Sequence, residues 1–426
     1  MIRRPPRSTL DRSSAASDVY KRQVHPDPRQ VKQAAEKLMN SKQPIIISGG
    51  GVLYSEAEEE LSIFAKKHNI PVTSTVMGIG CMTRDDPYYI SAVGALGEGS
   101  SNSLSKDTDL ALAIDTKLAD FTTGSWANFE NPNFKLVSVN TARFDTTKHL
   151  ATSVISDAKI GLQQISDALG DWRAPNTWYQ RAIKERDEWD AYVEKQSGPN
   201  NQEEPSYAHA VGAVYRNSDP SDIVVTAAGG LVGEVVQVWK PKQLNTFETE
   251  WGFSCMGYEI SGALGIKMAK PDQDVVVFVG DGSYLLNNTD IYSSVIYDQK
   301  LIIIVCDNGG HMVINRLQLA KGGKEYICNL RAARATNLKF VDFENHAKSM
   351  GANAETVSST SELEAAYKRA KDSDKTYVIT IKTHGYEWLE GTAFWESPTL
   401  QDPITDNNKN ALEDFESGKS KQRKGV

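Results

Sequence analysis

Runs of consecutive apolar residues, each closed by glycine or a polar turn, alternate along most of the chain with segments whose apolar residues recur at helical spacing. Residues 31–39 carry the helical pattern and lead into the apolar run 44–48, closed by Gly49, Gly50 and Gly51. A Glu-rich helical stretch follows at 55–68. Further apolar runs at 70–75, 110–114 and 134–139 predict strands of a parallel sheet buried on both faces, because such strands read as continuous rather than alternating apolar sequence. A charged helical stretch at 178–194 and the polar run 196–205 then mark a linker. Beyond it the pattern restarts, with strands predicted at 222–227, 274–279, 300–306 and 376–381 and a helix rich in small residues at 259–269. The expected fold class is α/β, as two doubly wound parallel-sheet domains. One spans 24–195, the linker spans 196–205, and the second spans 206–400. Residues 401–426, polar and ending in a basic cluster, are expected to be a mobile tail.

Length agrees with two cores: 426 residues exceed one ordinary domain of ~150 residues. At 40% hydrophobic and 24% charged, the composition is that of a globular chain and excludes collagenous, coiled-coil and disordered classes. The apolar runs are far too short to span a bilayer, so no membrane partner is expected. A formal net charge of −8 is the wrong sign for a nucleic-acid binder. Cys81, Cys255, Cys306 and Cys328 show neither CxxC nor zinc-finger spacing, which suits reduced thiols and a cytoplasmic location. Residues 1–23 fit none of this. Arg- and Ser-rich, with Pro5, Pro6 and no apolar periodicity, they resemble translated adapter sequence more than a targeting signal, and removing their net +4 leaves −12.

Ligands of open α/β sheets sit beyond the C-terminal strand ends, and two strand ends here are unusual. The strand at 274–279 runs into Gly280-Asp281-Gly282-Ser283, where glycines admit close backbone approach and a carboxylate stands at the turn. The strand at 300–306 runs into Asp307-Asn308-Gly309-Gly310, a source of carboxamide and carbonyl oxygens of the kind Mg²⁺ takes. GDGS alone is no more than a tight turn. The intervening residues, however, suffice for one helix and one strand, and the right-handed crossover then sets the two loops side by side.

Gly-Asp-Gly followed at this distance by Asn308 resembles the cofactor motif of the thiamin diphosphate-dependent enzymes. Carried over residue by residue, the resemblance implies that Asp281, Asn308 and the carbonyl of Gly310 bind Mg²⁺. Asp307 departs from the usual first Asn of the pair. It implies further that Gly280, Gly282 and Ser283 lie against the diphosphate, as does the turn containing Gly229, Gly230 and Leu231. Glu250-Trp-Gly-Phe-Ser-Cys-Met-Gly-Tyr258 is similar to the segment that bends the cofactor, with Met256 as the wedge between its rings and the backbones of Ser254 and Met256 on the aminopyrimidine. The first domain would be the central, non-catalytic one of the family. Its Gly49-Gly50-Gly51 lacks the GxGxxG continuation, so nicotinamide or flavin binding is not expected.

Within the family, Trp251 to Gly262, Val279 to Leu285, Cys306 to Gly310 with Ile314-Asn-Arg-Leu-Gln318, and Ala119 to Ser125 are similar to the branch that hydrolyses a C–C bond of trihydroxycyclohexane-1,2-dione in myo-inositol degradation, giving 5-deoxyglucuronate. The implied partner is a small cyclic dione, and the implied assembly a homodimer or homotetramer of a longer protein. Acetolactate synthase-like carboligation, 2-oxoacid decarboxylation and a non-catalytic phosphate-binding module remain as alternatives. His311, three residues past Asn308, is a candidate proton-transfer group, and Tyr386, Trp388 and Trp395 are candidates for a lid. The family's activating glutamate lies on a pyrimidine-binding domain, expected in a protein ~170–200 residues longer. Alone, the chain is expected to bind cofactor poorly and to be inactive.

Overall fold

The computed structural model describes residues 23–334 and 337–423, so the adapter-like stretch lies, but for Gln23, outside the described residues. Two six-stranded sheets, every strand pairing parallel to its neighbours, form the two units, as the apolar runs predict. The first contains β1 (Pro44–Ser48), β2 (Val72–Ser74), β3 (Tyr89–Ala92), β4 (Leu110–Ile114), β5 (Lys135–Asn140) and β6 (Thr152–Ile155), in the order β3-β2-β1-β4-β5-β6. The second contains β7 (Ile223–Thr226), β8 (Phe247–Thr249), β9 (Val275–Gly280), β10 (Ile302–Asp307), β11 (Asn353–Val357) and β12 (Tyr377–Lys382), in the order β11-β12-β10-β9-β7-β8. Their central strands are wholly enclosed: Val275 to Val279 and Ile302 to Cys306 are all 0% exposed. At ~1.5–3 kcal/mol per buried aliphatic side chain, these two strands anchor the second core.

Strand order decides where the site can be. The chain leaves β7 toward β8 on one side and returns to place β9 on the other, so the β7 and β9 exits diverge and open a crevice at that switch point. Cys306 pairs with Gly280, which sets the loop after β10 beside the loop after β9. The long helix Asn176–Gln196 ends at the predicted linker, and the helix Tyr207–Arg216 begins the second unit under a Ser206 capping box.

The two units meet through buried polar contacts. Lys240 Nζ lies 2.6 Å from Glu98 Oε1, and the Arg84 amide donates to the Pro241 carbonyl at 3.1 Å. The segment after β12 crosses back to the first unit, where Asn102 Nδ2 donates to Gly391 O at 2.7 Å and the Glu396 amide to Ser125 Oγ at 2.8 Å.

The tail departs from expectation. Residues Asp406–Ser420 form a helix that starts from a Thr405–Asn408 capping box and buries Ala411 and Phe415, four residues apart on one face. Phe415 meets Phe394, and Arg423 covers the Phe134 ring at 4.7 Å. Two apolar residues at helical spacing among many charges are easily read as tail, yet they suffice to dock a capped helix.

Candidate active site

Three loops from the second sheet converge at the switch point. After β9, Gly280 is extended and Asp281 opens a short helix. The Asp281 carboxylate is 5% exposed and accepts the Gly310 amide at 2.7 Å, which ties the β9 loop to the β10 loop. Burial, and after it the neighbouring Asp307 charge, push the Asp281 carboxyl up to about 7. A carboxylate so disfavoured when empty is one that a cation would satisfy. Asn308, 6% exposed, donates from Nδ2 to the Tyr207 hydroxyl at 2.5 Å, while its Oδ1 is buried without a hydrogen-bond partner among the described residues. Such an orphaned acceptor costs ~1–3 kcal/mol unless something fills it.

Gly310 completes the set. Its φ of +140° and the 2.4 Å that would separate a Cβ from the Cys328 carbonyl admit only glycine. Among the described residues no three His, Cys, Asp or Glu side chains gather as a metal cluster. A buried carboxylate tied to the loop of an orphaned carboxamide oxygen is the donor chemistry that a hard divalent ion takes, with further ligands such as a diphosphate.

The turn after β7 faces this pair of loops. Gly229 has φ +81° with open space where a Cβ would stand, and a Cβ on Gly230 would strike the Trp388 ring at 2.0 Å. Gly282 is covered by the His311 ring, which would lie 2.6 Å from an added Cβ. The predicted residues Gly229, Gly230, Leu231, Ser254, Met256, Gly280, Asp281, Gly282, Ser283, Asn308, Gly310 and His311 all line one cavity of about 510 Å³. Leu96 and Phe121 of the first unit, Trp251, and Trp395 of the crossing segment add an apolar wall. Met256, 38% exposed, projects from a loop bent by positive φ at Ser254 and Gly257.

Ser283 lines the cavity while its Oγ bonds both oxygens of Glu259, at 2.9 and 2.8 Å. Of the proposed lid aromatics, Trp395 packs on Phe121 at 5.0 Å and Trp388 stands edge-on to Tyr207 at 5.5 Å. Tyr386 instead lies outside the cavity, donating to Glu325 and accepting from Asn329 Nδ2.

Sequence reasoning missed Tyr207 and Glu259. Tyr207 lies far from the motif in the chain and reaches it only through the fold. Glu259 is 0% exposed and accepts the Ala228 amide at 3.2 Å, the Gly257 amide at 2.9 Å and the Ser283 hydroxyl, so one carboxylate joins the β7 turn, the Met256 loop and the β9 loop. Burial raises its pKa while these donors pull it down. A glutamate at the start of a helix whose first two turns are otherwise small or apolar was the available signal.

Comparison with known proteins places both units. Residues 31–165 match the model of the thiamine pyrophosphate enzyme central domain, and residues 227–381 that of the C-terminal TPP binding domain. A protein of Clostridium tetani named 3D-(3,5/4)-trihydroxycyclohexane-1,2-dione hydrolase is 32% identical over 418 residues, covering 88% of this chain and 65% of its own length. Proteins of the same name from Bacillus licheniformis and Listeria monocytogenes are each 32% identical, over 88% and 89% of this chain and 64% of their own lengths. The chain thus spans slightly under two thirds of these relatives. With its two sheets matched to the central and the C-terminal TPP binding domains of one enzyme family, the chain belongs to the thiamine pyrophosphate enzymes.

Proposed function

We propose that this chain supplies the diphosphate-binding part of a thiamin diphosphate- and Mg²⁺-dependent enzyme that hydrolyses a C–C bond of trihydroxycyclohexane-1,2-dione. The observation that carries the reading is the likeness to hydrolases of that name over 88% of the chain.

In this reading Asp281, Asn308 Oδ1 and the Gly310 carbonyl hold Mg²⁺, and Gly229, Gly230 and Gly282 let the backbone approach the diphosphate. The backbones of Ser254 and Met256 receive the aminopyrimidine, and the Met256 side chain sets the cofactor's bend. Bound thiamin diphosphate supplies an electron sink for the pair released by the breaking C–C bond. The apolar wall of Leu96, Phe121, Trp251 and Trp395 excludes bulk water from the ring. His311, which lines the cavity and packs on Gly282, is the candidate proton-transfer group. In balance, water gives its hydroxyl to one carbon of the broken bond and its hydrogen to the other, so a neutral ring ketone becomes an open-chain carboxylate.

The chain with thiamin diphosphate and Mg²⁺ is titrated with the cyclic dione and with pyruvate, following tryptophan fluorescence. Saturable binding of the dione and not of pyruvate supports the hydrolase. The reverse preference transfers the site to a 2-oxoacid carboligase or decarboxylase. Ring opening measured on the same sample is expected to be negligible if the activating glutamate belongs to a further domain, and substantial turnover would refute that part.

A further inference from the structure

We propose that Arg316 is the carboxylate-binding group of this cavity. The helix Met312–Ala320 starts at His311, directly after the Asn308–Gly310 loop, and Arg316 lies just over one turn into it. Among the described residues lining the cavity, Arg316 is the one side chain with a permanent positive charge. Its guanidinium sits over the Trp388 ring, Cζ 5.0 Å from the ring centre. Trp388 is itself fixed, edge-on to Tyr207 and pressed against Gly230. The stack Tyr207–Trp388–Arg316 therefore sets the guanidinium at a defined place relative to the metal-ligand Asn308 and the β7 turn.

That guanidinium lacks the partner an arginine normally finds. Among the described residues it has no carboxylate within ion-pair distance, and the acidic group that acts on it from farther away is Glu234. No ion pair joins Glu234 to it: Oε1 of Glu234 accepts the Leu389 amide at 3.0 Å, Oε2 is buried without a hydrogen-bond partner among the described residues, and burial pushes the carboxyl up to about 7. Arg316 lines the cavity and is exposed, and among the described residues its guanidinium makes no hydrogen bond or ion pair, which leaves its planar fork of donors free. A fork of this kind matches a carboxylate bidentately, and stacking on Trp388 leaves the in-plane donors available. The neighbouring wall of Leu317, Trp395 and Phe121 offers no competing acceptor for them.

The inference rests on the proposed reaction for the source of the carboxylate. Hydrolysis turns a neutral ring into a hydroxylated open-chain acid, so Arg316 would engage the carboxylate that the reaction creates. Were the substrate itself an acid, the same guanidinium would hold it on entry.

The probes are glucuronate, a hydroxylated acid of the product's size, with glucose as its neutral counterpart, and pyruvate as a 2-oxo acid. Binding to the wild-type chain, Arg316→Gln and Arg316→Lys is measured by ligand-observed NMR, with circular dichroism and melting temperature confirming the fold. Glucuronate is expected to bind roughly tenfold more tightly than glucose, the scale of one charge-assisted bidentate contact. Arg316→Gln should erase that preference and Arg316→Lys keep part of it. A preference for acids that survives Arg316→Gln, or no preference in the wild type, overturns the proposal. If pyruvate alone shows the Arg316-dependent preference, the carboxylate site stands and the hydrolase reading fails. If the dione binds while no acid depends on Arg316, the hydrolase reading stands and this proposal falls.

Discussion

Replacing Asp281 by asparagine separates the demands of stability from those of binding. In the ligand-free chain the Asp281 carboxyl sits at about 7 instead of 3.8, because burial and then the Asp307 charge disfavour its ionised form. A folded-state pKa raised in this way contributes stability that is full below the unfolded value and is lost as pH rises through about 7. At pH 8 the ionised group thus costs the empty chain about 4 kcal/mol, taking ~1.4 kcal/mol per unit. The asparagine side chain of Asp281→Asn stays neutral at every pH and could still accept the Gly310 amide, although that bond loses its charge assistance. The net gain expected for Asp281→Asn at pH 8 is therefore ~1–2 kcal/mol, or roughly 2–8 °C in melting temperature. Thermal melts at pH 8 and pH 5 provide the assay, with and without Mg²⁺ and thiamin diphosphate. The variant should melt above the wild type at pH 8 without ligands, and the difference should vanish or reverse at pH 5, where Asp281 is already protonated in the folded chain. With Mg²⁺ and cofactor only the wild type should rise, by ~3 kcal/mol at a hundredfold excess over its dissociation constant. A variant that is less stable at both pH values, or one that still responds to the ligands, would refute the reasoning.

Other parts of the site give separate tests. Both oxygens of Glu259 meet donors only, so Glu259→Gln places an amide N–H against one of them; a loss of ~1–3 kcal/mol in urea unfolding and about tenfold weaker cofactor binding are expected. Unchanged affinity would remove Glu259 from the cofactor's support. Gly282→Ala drives a methyl into the His311 ring and should weaken cofactor binding; adding His311→Ala should restore it, and a double variant no better than the single would disprove the contact. Phe415→Ala should cost ~3 kcal/mol locally and expose residues 406–420 to protease, whereas equal resistance would show that Phe394 and Phe415 do not hold the helix.

What the sequence disclosed follows strand by strand from burial. The central strands β1, β4, β5, β7, β9, β10 and β12 are continuous apolar runs because helices cover both their faces, and these, together with the shorter β2, were legible within two residues. The strands that went unread beside them are β3, β6, β8 and β11, which are the four edges of the two sheets. β6, β8 and β11 are only partly covered, and β3, though buried, is four residues long and carries Tyr89 and Ser91. Asn353–Val357 and Thr152–Ile155 mix polar with apolar residues and leave no run to recognise. The loops after β9 and β10 were legible as neighbours because their pattern is local: a glycine turn with a carboxylate, and an Asn followed by glycines. Glu259, Tyr207 and Arg316 were not, because each acquires its role from a neighbour distant in sequence: Ser283 and Ala228, Asn308, and Trp388.

Crystals of the chain soaked with thiamin diphosphate and Mn²⁺ in place of Mg²⁺ would reveal the ion through its anomalous scattering, whatever the affinity in solution. The account predicts one peak among the Asp281 carboxylate, Asn308 Oδ1 and the Gly310 carbonyl, bridged to the diphosphate. Manganese bound elsewhere, or a diphosphate held in the cavity without an ion between these three groups, would contradict it.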